Sequence, residues 1–140
     1  MASIKRVFLD TSYFKAWIDD KDEFHDRALN LLEQLERESE IELLTSNFVI
    51  DETFTLLRVK SGVEVAQKFY KFLEGKGSEI DLVRVTAGDE RKVWNWFWKK
   101  WSKLSFTDCT SFAIMKRLEL KQVATFDEHF AKAGFEVIAG

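Results

Sequence analysis

The pattern that decides the fold appears first at residues 7–12, where the sequence reads Val-Phe-Leu-Asp-Thr-Ser, an apolar run that ends in an acid. A short apolar run of this kind is typical of a buried strand, and a helical pattern follows it directly at residues 13–18. Similar runs recur along the chain, with room for a helix between them. The predicted strands are residues 4–9, 42–45, 80–85, 122–126 and 135–138.

Helical patterns fill the stretches between the predicted strands. Apolar residues recur at three- and four-residue steps in 24–35, 66–73 and 94–101, which is typical of amphipathic helices. Strands separated by helical crossovers cannot pair as hairpins, so we expect a mostly parallel sheet with helices on both faces. The sequence therefore predicts an α/β fold of three layers, α/β/α. A single domain is expected over residues 1–140, because nothing in the composition marks a linker.

The composition limits the class of protein. With 46% hydrophobic and 32% charged residues, the chain has the apolar content of a globular domain and not that of a disordered tail. One cysteine and two histidines are too few for a structural zinc site, so any metal must be held mainly by carboxylates. The apolar runs are too short to span a membrane and the N-terminal residues carry charges, which predicts a cytoplasmic protein without membrane contact.

Charge is distributed unevenly along the chain. The net charge of −3 argues against a protein that holds nucleic acid through overall basicity. Residues 19–42 are rich in acids, which form either the solvated face of a helix or a docking surface for a basic partner segment. Residues 91–103 contain bases and no acid; these bases are Arg91, Lys92, Lys99, Lys100 and Lys103.

Acids stand at the predicted strand ends and helix starts. Asp10 and Asp127 each close an apolar run, and Asp108 begins a predicted helix at residues 107–118. Glu52 lies at the margin of the buried face of the helix after the second strand. Because ligands of parallel sheets bind beyond the carboxyl ends of the strands, we expect all four acids to face one edge.

Each of these acids also has a structural interpretation. An aspartate that caps a helix stabilises it by roughly 1 kcal/mol, Ser105 and Asp108 have the spacing of a capping box, and Glu52 suits a solvated helix position. Four acids at one edge, however, would repel one another and raise each other's pKa unless a cation neutralised them. Hard oxygen ligands of this kind favour Mg²⁺ or Mn²⁺ over zinc.

Four segments together resemble a PIN domain, the fold of many small metal-dependent ribonucleases that include the VapC-type toxins of toxin–antitoxin pairs. The resemblance covers nearly the whole chain and rests on the order and spacing of the segments. They are residues 7–12, residues 45–57 around Glu52, residues 104–113 around Asp108 and residues 124–130 around Asp127.

The resemblance implies an endoribonuclease that uses Mg²⁺ or Mn²⁺ to hydrolyse RNA phosphodiester bonds. The acids that carry over as catalytic and metal-binding residues are Asp10, Glu52, Asp108 and Asp127. Supporting hydroxyls would come from among Thr11, Ser12, Thr107 and Thr125. Glu128 would assist the acids or favour a helix start. The implied partners are an RNA substrate, an antitoxin protein and a second copy of the chain in a homodimer.

Other functions stay open on the sequence. The same fold would serve a housekeeping RNA-processing nuclease, which has no inhibitor partner, or a non-catalytic PIN-like binding module, which would lose the acids that this chain keeps. A phosphatase of the haloacid dehalogenase type also begins with an acid at a strand end. It needs a second aspartate where this chain has Ser12, which argues against it.

Residues 91–101 combine bases with four of the five tryptophans. If this stretch is one helix, a single face packs on the sheet or on a partner; it consists of Trp94, Phe97, Trp98 and Trp101. Trp96 is then exposed on the other side among three lysines, which are Lys92, Lys99 and Lys103. Such a surface would bind RNA by base stacking and phosphate contacts, or would bind a protein.

Cys109 and His129 receive structural interpretations. Cys109 has no histidine near it in the sequence, so we do not expect a thiol nucleophile. His129 is interpreted as a structural or surface residue, with a catalytic base beside Asp127 as the alternative.

Overall fold

The structure, a computed structural model, describes residues 5–138, and five strands lie in that range. They are β1 (Lys5–Leu9), β2 (Ile41–Ser46), β3 (Asp81–Val83), β4 (Gln122–Ala124) and β5 (Glu136–Ile138). All five predicted strands are confirmed to within a residue or two at each described end. The first residue of the first predicted strand, Ile4, lies outside the described residues.

The strands form one sheet in the order β3-β2-β1-β4-β5, and every neighbouring pair is parallel. β1 lies at the centre, where Val7 pairs with Leu43 of β2 on one side and with Gln122 of β4 on the other. The predicted parallel α/β fold is therefore confirmed. Because the strands are parallel, their carboxyl ends meet at one edge of the sheet.

Helices connect the strands and cover the sheet. They are α1 (Thr11–Ile18), α2 (His25–Glu36), α3 (Asn47–Lys60), α4 (Val63–Glu74), α5 (Ala87–Lys92), α6 (Trp94–Phe97), α7 (Phe106–Arg117) and α8 (His129–Lys132), with a 3₁₀ turn at Lys76–Glu79. Helix α7 is buried throughout its middle, from Asp108 to Met115. No helix among the described residues has both the length and the hydrophobicity needed to cross a bilayer.

Aromatic packing fixes the helices that begin at the carboxyl edge. Phe14 of α1 packs on Phe69 of α4 with ring centroids 5.3 Å apart, and Phe54 of α3 packs on the same ring at 5.0 Å. Phe112 of α7 meets Phe130 of α8 edge to face at 4.9 Å. Each such pair stabilises the fold by about 1 kcal/mol beyond the area it buries. The starts of α1, α3 and α7 are therefore held firmly against the sheet edge.

The prediction of one continuous helix at residues 91–101 is wrong. The N–H groups of Val93 and Trp96 each donate to the carbonyl three residues earlier, which tightens the backbone and separates α5 from α6. The wheel that assumed an unbroken helix therefore assigned the wrong faces. Trp96 is only 8% exposed and packs edge to face on Phe112, whereas Trp94 and Trp98 are 47% and 71% exposed.

Candidate active site

A cleft of about 390 Å³ opens at the carboxyl edge of the sheet. The backbone N–H of Asp10 donates to the carbonyl of Ala124 at 3.1 Å, which continues the pairing of β1 and β4 and brings their ends together. The cleft contains all four acids that the sequence singles out. We name them the acidic centre: Asp10, Glu52, Asp108 and Asp127.

Asp10 is buried directly after β1, with 2% of its surface exposed. Its Oδ2 accepts hydrogen bonds from Ser12 Oγ at 3.0 Å and from Thr125 Oγ1 at 2.8 Å. Its Oδ1 is buried and has no hydrogen-bond partner among the described residues. Burial, together with the nearby charge of Asp127, raises the pKa of Asp10 to about 6. One oxygen is thus held by hydroxyls while the other is left available.

Two of the four candidate hydroxyls, those of Ser12 and Thr125, lie in one network. The oxygens of Ser12 and Thr125 are 2.9 Å apart. Ser12 Oγ also accepts from the N–H of Phe126 at 2.9 Å, and Thr125 Oγ1 accepts from the N–H of Asp127 at 3.0 Å. This network ties the start of α1 to the loop after β4. It thereby fixes the positions of both strand-end aspartates.

The other two candidate hydroxyls differ from this pair. Thr11 is buried, and its hydroxyl has no hydrogen-bond partner among the residues from 5 to 138. Thr107 contributes its backbone carbonyl, which accepts from the hydroxyls of Thr110 and Ser111 inside α7.

Asp108 is both a helix cap and an acid of the cleft, the two interpretations that the sequence leaves open. Its N–H donates to Ser105 Oγ at 2.9 Å and its Oδ2 accepts from the N–H of Ser105 at 3.1 Å, which is the capping box. The same carboxylate is buried and lines the cleft. Burial raises its pKa to about 7, with further contributions from the charges of Asp10, Asp127 and Glu52. Capping therefore places this acid in the cleft without removing it from the electrostatic field of the others.

Glu52 reaches the cleft from α3. Ser46 ends β2 and caps this helix by accepting from the N–H of Val49 at 3.1 Å, so α3 starts at the sheet edge. Glu52 is partly exposed and its neighbour Asp51 fully exposed, in agreement with the helical wheel. Glu128, the acid after Asp127, is exposed and pairs with Lys132 at 3.3 Å, which supports its role at the start of α8.

His129, for which the sequence left open a structural or surface residue or a catalytic base, is buried among the acids. It is 4% exposed, and its Nδ1 lies 2.7 Å from Asp127 Oδ1 and 3.5 Å from Asp108 Oδ2. Its Nε2 donates to the carbonyl of Ser102 at 2.7 Å, and the ring of Trp101 lies parallel to its own at 6.3 Å. Burial lowers the pKa of His129, but the charge of Asp127 and the Ser102 carbonyl outweigh it, so the pKa is raised.

The predicted substrate-binding residues fall into two groups. Lys103 lines the cleft, where Lys15 and Lys60 lie as well. Lys92 and Lys99 are exposed outside the cleft, and Trp96 is buried against Phe112. The predicted exposure of Trp96 among lysines is therefore wrong, because the helix that would place it there is broken. Cys109 is buried, and burial beside Asp108 raises its pKa to about 12, which argues against a thiolate.

The donors at the cleft suit a divalent cation. One ligand atom each from Asp108, Asp127 and His129 lies within 4.8 Å of the others, and the free Oδ1 of Asp10 is a buried acceptor without a partner among the described residues. Such an acceptor is costly to bury. A cation would satisfy it and would offset the burial of charge that, with the repulsion between the acids, raises the pKa values of Asp10 and Asp108.

Comparison with known proteins agrees with this geometry. The PIN domain family matches residues 7–136. The 23S rRNA-specific endonuclease VapC20 of Mycobacterium tuberculosis is 31% identical over 132 residues, which are 92% of this chain and 95% of that protein. The crystal structure of that VapC20, described as a sarcin-ricin loop cleaving toxin, has a TM-score of 0.82 and 29% identity, and the match covers 96% of this chain and 99% of that one.

A more distant structure shares the fold. VapBC2 from Rickettsia felis, solved in complex with a DNA fragment from their promoter, matches with a TM-score of 0.68 and 15% identity over 95% of this chain and 97% of that one.

Proposed function

The chain belongs to the PIN domain family, and from that premise we propose that it is a metal-dependent endoribonuclease and the toxin of a toxin–antitoxin pair. The observation that carries this proposal is the acidic centre. Two of its carboxylates are buried with strongly raised pKa values, which is costly unless they serve a cation. A binding module without chemistry has no need of this arrangement.

In the proposed mechanism, Asp10 and Asp108 would hold Mg²⁺ or Mn²⁺ directly, and Glu52 and Asp127 would complete the site. The cation, when bound, would lower the pKa of the attacking water and would stabilise charge on the phosphate. Ser12 and Thr125 hold one oxygen of Asp10, and the other has no partner among the described residues. The carboxylate of Glu52, which is partly exposed in the cleft, would accept the proton of that water.

His129 acts in this proposal as a positioning residue. Its Nε2 proton is committed to the Ser102 carbonyl, and its Nδ1 faces Asp127. The raised pKa of His129 favours the protonated ring, which would attract the Asp127 carboxylate as an ion pair at 2.7 Å and so orient a metal ligand.

The proposed substrate is a ribosomal RNA. VapC20 is named for 23S rRNA, and its similarity extends over nearly the whole of both chains. An RNA of this kind would place the activity in the cytoplasm. The cleft supports a phosphate backbone as ligand, because Lys60 and Lys103 lie at its rim beside the acids.

A second groove supports the proposal of an antitoxin partner. It has a volume of about 560 Å³ and is lined with apolar side chains from α1, α2 and β2, with four acids and Lys76. Two of these acids are already paired, Glu36 with Lys76 at 2.7 Å and Glu42 with Arg6 at 3.5 Å. The other two, Glu79 and Asp81, form no ion pair among the described residues. A partner segment with apolar anchors and a basic residue opposite these two acids would match the groove.

A candidate antitoxin should suppress RNA cleavage by the wild type. The Leu32→Lys variant, which is changed in the groove, should still cleave RNA but should no longer be suppressed by the antitoxin. A housekeeping nuclease would show no suppression.

We also propose a homodimer, with the outer side of α3 and α4 as the interface. Val59, Val63 and Tyr70 are exposed there by 75%, 43% and 56%. Exposed apolar residues that share one side of a protein often mark an interface. The mass in solution should be that of a dimer, and Val63→Glu should give a monomer.

The experiment that tests the nuclease is cleavage of ribosomal RNA by the purified protein with Mg²⁺, with Mn²⁺ and with EDTA. We expect cleavage that requires the metal and is lost in Asp10→Asn and in Asp108→Asn. A matched control is Asp51→Asn, because Asp51 lies next to Glu52 on α3 but is exposed. Cleavage that persists in EDTA or in both centre variants would refute the proposal.

A further inference from the structure

Trp94 and Trp98 form an exposed aromatic surface that the acidic centre does not use. Their rings stack with centroids 5.3 Å apart and planes 15° from parallel, and they are 47% and 71% exposed. We name them the tryptophan pair. Two stacked tryptophans at the surface of a protein often mark a site for a partner or a ligand, because binding can bury apolar area that folding leaves exposed.

The tryptophan pair is held rigidly from below. Trp94 packs edge to face on Phe97 at 5.8 Å and on Phe106 at 5.7 Å, and Phe97 packs on Phe106 at 6.0 Å. The outer ring, that of Trp98, is left open on the more exposed side. A ligand that stacks on Trp98 would therefore meet a surface that is already ordered, and binding would cost little conformational entropy.

The charges around the tryptophan pair indicate a polyanion. Residues 91–103 contain bases and no acid, and within the described part of the chain none of these bases forms an ion pair. Lysine is depleted at protein–protein interfaces. Aromatic rings among lysines are typical of surfaces that bind single-stranded nucleic acid, where the rings stack on bases and the lysines contact phosphates. The observations therefore favour RNA over a protein partner.

The tryptophan pair packs on the helix that carries Asp108 into the cleft. Phe106, on which Trp94 packs, is the first residue of α7 and lies two positions before Asp108. In the same segment, Lys103 lines the cleft, and the amino group of Lys99 lies 5.7 Å from the ring centre of Trp101, which is parallel to the ring of His129. The segment that carries the tryptophan pair therefore also contacts the acidic centre.

We infer that the tryptophan pair is a stacking platform for an unpaired base of the RNA substrate, outside the cleft that holds the cleaved phosphate. This inference rests on the proposed ribonuclease function and adds a substrate feature to it: a single-stranded or looped segment next to the cleavage site. Base stacking, one of the two roles that the sequence left open for Trp96, thus belongs to the two tryptophans that the fold exposes. Lys99 and Lys100 contact the phosphates beside the stacked base.

The test measures the affinity of the protein, in EDTA to prevent cleavage, for a short single-stranded RNA and for the duplex of the same sequence. Trp98→Ala and Trp98→Leu should each raise the Kd for the single strand by about 10-fold, the usual loss for one stacked base. Trp98→Phe keeps a flat ring and should bind like the wild type. The Kd for the duplex should hardly change, because its bases are paired and cannot stack on the platform.

One control variant and three outcomes separate the possible failures. Leu82→Ala removes an exposed apolar side chain from β3 and should leave the Kd unchanged. A wild type that cleaves RNA while all Trp98 variants bind it equally well would overturn the platform and leave the nuclease intact. A wild type that neither binds nor cleaves RNA would overturn both. A Trp98→Ala variant whose mass falls from dimer to monomer would show that the pair is a protein interface, which also refutes the platform.

Discussion

The acidic centre and the segment of residues 91–103, which we name the basic segment, are neighbours in the fold that are built in opposite ways. The acidic centre buries like charges and holds them with hydroxyl and backbone hydrogen bonds. The basic segment exposes its charges and anchors itself by one buried ring, that of Trp96. The difference separates two tasks: buried carboxylates at a strand end suit chemistry, and exposed lysines with aromatic rings suit binding.

The largest expected effect is on the rate of RNA cleavage and follows a change of Asp108 in the acidic centre. Asn in place of Asp108 still accepts from the N–H of Ser105, so the helix start is kept while the charge is lost. We expect the cleavage rate to fall roughly 100- to 1000-fold, the range for losing one group that stabilises transition-state charge, because Asp108 would hold the cation that supplies this stabilisation. The Kd for RNA measured in EDTA should change little. Single-turnover cleavage and fluorescence anisotropy measure the two quantities.

The control for this variant is Glu128→Gln, which neutralises an exposed acid beside the centre. It should cleave at nearly the wild-type rate. If Asp108→Asn instead weakened RNA binding as much as it slowed cleavage, the separation of chemistry from binding would be wrong.

The next effect is on the free energy of unfolding and concerns the ion pair that joins α5, which leads into the basic segment, to α7, which carries Asp108. Asp89 of α5, just before the basic segment, accepts from Nε and Nη2 of Arg117 on α7 at 2.9 and 2.8 Å and is 1% exposed. Asp89→Ala leaves Arg117 without this partner and should lower the free energy of unfolding by about 2 to 3 kcal/mol in urea denaturation. Glu90→Ala, an exposed change in the same helix, should stay within about 0.5 kcal/mol of the wild type.

The same ion pair has a defined pH dependence. Burial raises the pKa of Asp89, but the hydrogen bonds from Arg117 and Thr86 outweigh burial, so the pKa is lowered in the folded state. A lowered acid pKa stabilises the fold above the unfolded value of about 3.9 and loses that contribution as the pH falls through the folded value. The difference in the free energy of unfolding between the wild type and Asp89→Ala should thus be largest at neutral pH and should decrease below about pH 4. A gap that stayed constant would mean that the charge of Asp89 does not matter.

The fold and the acids could be predicted because both follow from local patterns. An apolar run that ends in an acid predicts a strand end, and parallel pairing then sends every strand end to one edge. This reasoning found Asp10 and Asp127 without any knowledge of distant contacts. Glu52 followed from a wheel that holds because α3 is an unbroken helix of 14 residues.

The positions of His129 and Trp96 depend on contacts that the sequence does not display. His129 is fixed by a carbonyl 27 positions away, at Ser102, and by the ring of Trp101. Its position two residues after Asp127 was the only available signal. Trp96 was misplaced because two tightened turns break the helix at Val93, and a wheel cannot detect a change of helical pitch.

A smaller effect on activity is expected from His129, which joins the two regions through Ser102 of the basic segment. His129→Gln should lower metal affinity or cleavage about 10- to 100-fold, as is usual when a partner that orients a metal ligand is lost. Titration with Mn²⁺ should show a raised metal concentration for half-maximal rate, which a purely structural role would not produce. His25→Gln is the matched control, because His25 Nδ1 also bonds a backbone carbonyl, that of Ala16 at 2.8 Å, but lies away from the acids. Equal effects of both changes would refute a specific role for His129.

The smallest effect concerns Lys103, the one residue of the basic segment that lines the cleft. If it contacts an RNA phosphate, Lys103→Ala should reduce the slope of log Kd against log salt concentration by about 0.7, the value for one phosphate contact on a single strand. Lys68→Ala on α4, also an exposed lysine, should leave the slope unchanged. Because a lysine contact positions the backbone without reading bases, the loss should be the same for RNAs of different sequence. A loss confined to one sequence would instead mean that Lys103 contacts a base, and the division between a cleft that holds phosphate and a platform that holds bases would have to be abandoned.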